Sequence, residues 1–600
     1  MEKKKKQRNR KPLSCWPCRE RKVQCDRRSP CATCRRRDHI HLCQVERPAA
    51  RADDDDDVHS LLHQQLTTRI QRKAAGEGSP LAPPGFPCPG EPADEDASSQ
   101  LIAVLDDVSR FLGPTHETDS PTRERVYLGQ NCAANFFRAL IGHSSERQRR
   151  RRPLLPLPSG VSVESAFGLT NRTTLHPFGS LWSYAGNVSL HNILQSLPTV
   201  EACLRYYRNF DQNVLPFYPF LLNAQIFESR FCDFLQALGD EGIAKALDLA
   251  AAEGAFQDAA WYGVLFGVLA CGCQFYDGEA ASDRLLRSRV FVAAAFECLR
   301  LANLFGMPSE ATIQALLMIE LAIANDTNPG MAWSLIGTTA QNAQSIGLHL
   351  NMNRSLEWDA AIHPLWSAIW FLDSSLSLAF GRRPSSFVAG LDQHNLHIVS
   401  GVTFPTFCAW TGAIHKLKLN WQLEQTGDVK ASDVPPSIVF RYLQSLANLE
   451  TIPPYGPRSN TKPSTFHRKI EQLVSLIHIS HVKAEILRVA ALSSAVQPAS
   501  RREHFDEMMQ SLNGLISAYC TLKPLSVTMA NSWPILYATI SSALLLAGIC
   551  YSLGEETPLV VKKLVGVLCE DVEEDDDHGR AMGPAAYADG LRVLRHLSEN

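Results

Sequence analysis

Six cysteines crowd the amino-terminal end of this chain, at Cys15, Cys18, Cys25, Cys31, Cys34 and Cys43. The residues around them are mostly Lys, Arg and other polar types, so this stretch has too little apolar surface for a core and must be held by cross-links or metal. Met1-Glu2-Lys3 opens a charged run with no apolar leader behind it. That predicts a reducing compartment, in which clustered thiols bind metal rather than pair as disulfides. Each of the two Cys-x2-Cys pairs presents two thiolates from one tight turn, which suits tetrahedral zinc at roughly 2.3 Å per Zn–S bond. Four cysteines would fill one such site. Six fill two sites if two thiolates bridge both metals. A single-zinc module using Cys15, Cys18, Cys31 and Cys34 leaves Cys25 and Cys43 without a role. His39 and His41 read as solvated loop residues, because six thiolates already close two sites. The chain has 17 cysteines in all, and the other eleven are scattered between Cys88 and Cys569. Those read as small buried hydrophobes.

Charge divides the chain in the same place. The formal net charge is only −3. Residues 1–47, however, hold 16 Lys and Arg against 5 Asp and Glu, a net of +11, so the remainder carries −14, the difference between −3 and +11. A basic head on an acidic body predicts a polyanion partner for the head alone.

The run Cys18-Arg19-Glu20-Arg21-Lys22-Val23-Gln24-Cys25-Asp26, with Pro30 before Cys31, resembles the fungal binuclear zinc cluster transcription factors. The resemblance implies two Zn2+ ions bridged by Cys15 and Cys31. One would take Cys15, Cys18, Cys25 and Cys31, and the other Cys31, Cys34, Cys43 and Cys15. It also implies short helices near 17–25 and 33–38. Lys22 becomes the base reader, backed by main-chain carbonyls near Arg21, and the partner becomes double-stranded DNA with CGG-type half-sites. A Lys amine can reach the O6 and N7 acceptors of guanine. Arg19, Arg21, Arg27, Arg28, Arg35, Arg36 and Arg37 then serve as phosphate contacts. Many relatives are basic where Gln24 stands, so this chain departs from the family pattern at one backbone contact. Lys3, Lys4, Lys5, Lys6, Arg8, Arg10 and Lys11 form a candidate nuclear import signal or nonspecific DNA arm. The run Arg147–Arg152 is a second candidate, equally readable as an exposed basic loop.

Residues 48–125 read as a flexible linker. Asp53–Asp57 is an unbroken acidic run and Pro80–Pro92 is rich in Pro and Gly, so neither can build a core. Leu62, Leu66 and Ile70 suggest a short helix within Val58–Lys73. The stretch is barely two heptads without a clean a/d repeat, which makes a weak zipper. Dimerisation through the large domain and binding as a monomer both stay open. Leu101, Leu105, Val108 and Leu112 predict an isolated helix. Val126-Tyr127-Leu128-Gly129 resembles the Tyr-x-Gly segment that opens the family's middle region, and residues 126–190 read as transitional.

From 191 to 600 the signal is helix after helix. Apolar residues recur at helical periods over Thr199–Asp211, Ala224–Leu238, Trp261–Tyr276, Arg284–Leu304 and Ser309–Ala324, with breaks at Gly239, Gly306 and Pro308. Trp333–His349 and Leu365–Pro384 resemble the family's middle homology region, over roughly 195–400. Ile336, Ala340, Ala343 and Gly347 form a face of mostly small residues that lets a second helix approach. Trp366, Trp370 and Phe371 read as core aromatics, with a ligand pocket as the alternative. Lys523–Glu555 has no charge between its ends and could span a bilayer by length. A buried bundle helix fits it better, so no membrane is expected. Residues 570–577 are strongly acidic, either an activation segment or a solvated loop between helices.

No phosphate-binding loop, dinucleotide fingerprint, His-Glu-x-x-His or Gly-x-Ser-x-Gly is present, so no enzyme is expected. The fold class is a small zinc-cluster DNA-binding module joined to a large all-α multi-helix regulatory domain. The resemblance implies a nuclear regulator of RNA polymerase II genes that works with the transcription machinery. Its size and layout lean towards a pathway-specific regulator of secondary metabolism. Homodimerisation and a small-molecule effector stay open, as does activation against repression. The alternative is a zinc-dependent nucleic-acid or protein interaction scaffold without sequence-specific DNA binding.

Overall fold

Apolar periods in the sequence become helices, several of them stopped by a glycine at positive φ. The computed structural model describes residues 93–112, 115–116, 126–142, 157–171, 189–243, 255–276, 278–350, 363–387, 406–425, 433–451, 465–575 and 587–599. All belong to one unit, Glu91–Asn600. The expectations for residues 1–92, including Val58–Lys73, and for Arg147–Arg152 lie outside the described residues.

The first elements are α1 (Ala93–Phe111), β1 (Thr115–His116), β2 (Tyr127–Leu128), α2 (Ala133–Gly142) and α3 (Val163–Ala166). The two short strands pair antiparallel, Thr115 with Leu128 and His116 with Tyr127. Next come α4 (Leu190–Leu194), α5 (Val200–Asn213), α6 (Ala224–Glu241), α7 (Ala255–Gln274) and α8 (Ala281–Leu301). They are followed by α9 (Glu310–Asn325), α10 (Pro329–Ser345), α11 (Pro364–Phe380), α12 (Phe407–Gln425) and α13 (Pro436–Thr451). The last are α14 (Thr465–Leu492), α15 (Pro498–Leu522), α16 (Val527–Asn531), α17 (Trp533–Leu553), α18 (Leu559–Asp575) and α19 (Ala588–Glu599). Sequential neighbours pack: α7 on α8 and α9, α9 on α10, α10 on α11, α11 on α12, and α14 on α15. Short connections join α7 to α8, α9 to α10 and α14 to α15, and a brief loop returns a helix beside its predecessor, whereas α10–α11 and α11–α12 pair across longer ones.

The expected spans shift by a few residues for identifiable reasons. Ser309 is not the first residue of α9 but its cap, accepting the Thr312 N–H on its hydroxyl. Gly239 does not end α6. The helix runs on to Glu241, and Gly242 stops it in a positive-φ conformation (φ +82). Ile336, Ala340 and Ala343 are fully buried, as the small face requires. Gly347 does not share that face. It lies past the end of α10 at φ +80, where its N–H meets Gln344 O and the Leu348 N–H meets Ala343 O. That is a glycine helix terminator.

α17 is long and apolar enough to cross a membrane, yet 89% of its apolar window is buried inside the body. It packs against α2, α14, α15 and α19, among others. Its all-round apolar surface is thus a core requirement. Trp366, Trp370 and Phe371 are buried on α11. Of the scattered cysteines, Cys132, Cys203, Cys271, Cys273, Cys298, Cys520 and Cys550 are buried, whereas Cys232 is exposed.

Two segments differ from their expected roles. The helix over Leu101–Val108 is not isolated: α1 packs on α14, α15 and α17, burying Leu101, Leu105 and Val108. Asp106 on its polar side pairs with Arg501 at 2.8 Å. Nor are residues 126–171 a passage between domains. Phe136 and Phe137 of α2 enter the main core, Arg138 pairs with the buried Glu164, and α3 packs on α19. Near the carboxyl end, α18 continues through Asp575, so most of the acidic run lies on a helix rather than a loop. Asp576 and Asp577 lie outside the described residues.

Candidate functional site

The chemistry expected of the head rests on its donor set. Cys15, Cys18, Cys25, Cys31, Cys34 and Cys43 lie outside the described residues, as do Lys22, the seven arginines assigned to phosphates and the basic run from Lys3 to Lys11. Six thiolates supply the eight bonds of two tetrahedral zinc ions when two of them bridge. In so small a segment the metal supplies the folding free energy, so the two zinc ions are structural.

The body shows what its two sequence signatures are for. The Tyr127-Leu128-Gly129 segment docks on the end of α11, 252 positions later. The Gly129 N–H donates to Phe380 O at 2.9 Å. A Cβ at Gly129 would stand 2.0 Å from Gly381 O, so only glycine permits the approach. Gly381 itself caps α11 at φ +66. Arg382 closes the joint: its Nε and one terminal nitrogen both donate to Tyr127 O at 3.1 Å. The guanidinium lies 4.2 Å from the Phe380 ring centre and 4.5 Å from that of Trp333.

Beneath this joint lies a chain of buried polar contacts. Trp333 Nε1–H donates to Ser377 Oγ at 3.2 Å, and Ser377 donates to Asp373 at 2.9 Å. The Ser386 N–H and hydroxyl both donate to the other Asp373 oxygen at 2.7 Å. Asp373 therefore holds the turn after α11 against the helix body. The signature residues Trp333, Asp373, Gly381 and Arg382 form a structural lock, which seats the segment entering the body from its amino-terminal side.

Glu320 on α9 has a different standing. It is fully buried, the Thr339 hydroxyl donates to one carboxylate oxygen, and the other oxygen has no partner. Burial pushes the carboxyl well above its ordinary value of 4.5; the Thr339 bond opposes this and the Asp373 charge adds to it. An acid raised on folding binds more protons in the folded chain, so its contribution to stability falls as pH rises above about 4.5. Glu320→Gln keeps the acceptor for Thr339 and removes this cost. Relative to the parent chain, the variant should therefore gain stability progressively as pH rises from about 4.5 to 7. Urea unfolding at several pH values measures this, and a pH-independent gain would contradict it.

Sequence reasoning quoted Asp373 and Arg382 within a signature but missed the docking of Gly129, and it missed Glu320 entirely. A signal existed. Asp373 is the only charged residue of α11, and α9 between Gln314 and Asn325 holds no charge except Glu320. A lone carboxylate inside an apolar helix marks a buried polar partner. Among the described residues no group of three His, Cys, Asp or Glu side chains is placed to hold a metal ion.

Two family models match the chain. The fungal Zn(2)-Cys(6) binuclear cluster domain matches residues 13–52. The fungal specific transcription factor domain matches residues 260–398, a narrower span than the 195–400 read from the sequence, running from within α7 past the Asp373–Arg382 lock. No curated protein matches the chain significantly. Both families are transcription factor domains and not enzymes, and the cluster domain binds two zinc ions. The chain thus carries a match to the zinc cluster domain at its amino terminus and one to the fungal specific transcription factor domain within a mostly helical body, and these two domains indicate a fungal transcription factor.

Proposed function

We propose that this protein is a sequence-specific regulator of RNA polymerase II genes that reads CGG-type half-sites. The observation that carries the reading is the placement of Lys22 within the basic segment Arg19–Lys22, framed by Cys18 and Cys25. A zinc-held helix there can enter a major groove, and Lys22 meets the guanine acceptors. Bridging by Cys15 and Cys31 fixes both Cys-x2-Cys turns around it. Arg19, Arg21, Arg27, Arg28 and Arg35–Arg37 line up the phosphates. The basic run from Lys3 to Lys11 acts in nuclear import. The acidic run from Glu570 is a candidate contact for the transcription machinery.

Lys22→Ala should cost roughly 1–3 kcal/mol on a CGG site and little on scrambled duplex. Arg36→Ala should weaken both duplexes alike and reduce the salt slope by about one. Fluorescence anisotropy on matched duplexes across a salt series separates the two. If Lys22→Ala leaves the preference for CGG over a scrambled triplet intact, the base assignment is wrong.

A further inference from the structure

We infer that the body contains a binding site for a small carboxylate, formed by His415 and Lys418 of α12 together with His478 and His481 of α14. The site is independent of the DNA-reading assignment above.

These four side chains converge in the interior between α11, α12, α14 and α17. His415 is fully buried; its Nδ1 lies 3.0 Å from Ser374 Oγ, and its Nε2 is buried with no partner. The His415 and His478 rings are 5.0 Å apart, centre to centre. His481 follows His478 by one helical turn and faces Tyr537 of α17 at 6.2 Å. Lys418 Nζ donates to Ser375 Oγ at 3.2 Å. A buried ammonium has three donors to satisfy, and a buried unpaired nitrogen on an imidazole is costly.

The surrounding charges do not answer these donors. The nearby acid, Glu485 of α14, is bonded to Arg488, which also donates to Asn131 O at 2.6 Å and still has two nitrogens without partners. Asp373 of α11 is engaged by Ser377 and Ser386. Lys416 stands over the Trp370 ring at 4.3 Å. Tyr537, and Cys132 before α2, are both pushed upward by burial and stay neutral. The cluster is thus rich in groups that can carry positive charge, with no free anion to meet them among the described residues.

Burial pushes Lys418 down to about 7 despite Glu485. Burial and then Lys418 push His478 down to about 3. His415 and His481 are lowered well below the usual range by burial and by their basic neighbours. Without a ligand, the cluster avoids its own repulsion by losing protons. A carboxylate would restore them, taking hydrogen bonds from the Lys418 ammonium and from His415 Nε2–H. Metal chemistry is the other use of clustered histidines, but these do not form a three-ligand set. Phe371, whose ring lies 4.2 Å from that of His415, offers an apolar wall for the ligand's carbon skeleton.

The test is calorimetric titration of the full chain with sodium acetate and with sodium malonate, sodium chloride serving as the control at matched ionic strength. Expected is saturable binding of a carboxylate, about tenfold tighter at pH 6 than at pH 8, because Lys418 must gain its proton. At pH 8 the heat should depend on the buffer's ionisation enthalpy, which reports proton uptake in the unaltered protein. Lys418→Met should weaken binding at least tenfold and remove the pH dependence. Three results would overturn the proposal: no saturable heat with either carboxylate, an equal response to chloride, or unchanged binding in a folded Lys418→Met protein.

Discussion

Cys31→Ala should empty the amino-terminal cluster of both zinc ions and abolish sequence-specific DNA binding. The expectation follows from the assigned bridging role of Cys31. Removing a terminal thiolate such as Cys43 takes one ligand from one metal. Removing a bridge takes one ligand from each. Structural zinc contributes roughly 10–16 kcal/mol of apparent binding free energy to domains of this kind. A head without its own core cannot replace that. Specific DNA binding typically exceeds nonspecific binding by about 10³–10⁷. Cys31→Ala should therefore reduce binding to the level of a scrambled duplex. Metal analysis of the purified full chain should fall from two zincs to none. Retention of one zinc with intact DNA selectivity would overturn the bridging assignment.

Gly129→Ala should destabilise the body by about 3 kcal/mol or more. The added methyl would lie 2.0 Å from Gly381 O, and both partners are backbone, so no side-chain rotation relieves the clash. Gly381 cannot move easily, because it holds a positive-φ cap on α11 and its own Cβ position is crowded by Cys132 and Gly129. Separating the two segments would break the Gly129–Phe380 hydrogen bond and both Arg382 bonds to Tyr127 O. Gly566→Ala is the control. Gly566 sits within α18 with open space around its Cβ position, so alanine should stabilise by about 0.5–1 kcal/mol. Urea unfolding of the two variants should shift the midpoint in opposite directions. Similar midpoints would remove the docking argument.

What could be read in the sequence was what depends on local spacing. Zinc ligation works through turns of two or three residues, so Cys15–Cys18 and Cys31–Cys34 show in the sequence without a fold. Helix periods and caps are equally local, which is why α5 to α9 lie close to their expected positions. The contacts that shape the body are not local. Gly129 meets Gly381 across 252 positions, and His415 meets His478 across 63. A histidine or lysine in a helix reads as a solvated face, and α12 carries His415, Lys416 and Lys418 in a helix buried on nearly every side. Packing from α11, α13 and α14 puts those groups in the interior. The same limit applied to α1, whose apolar stripe was plain but whose partners, α14, α15 and α17, lie hundreds of residues away.

Selection of the full chain on random duplex DNA tests the central claim most directly. The account predicts enrichment of CGG triplets, lost in Lys22→Ala and in Cys31→Ala. Recovery of duplexes without any shared triplet, from protein carrying two zincs, would contradict it.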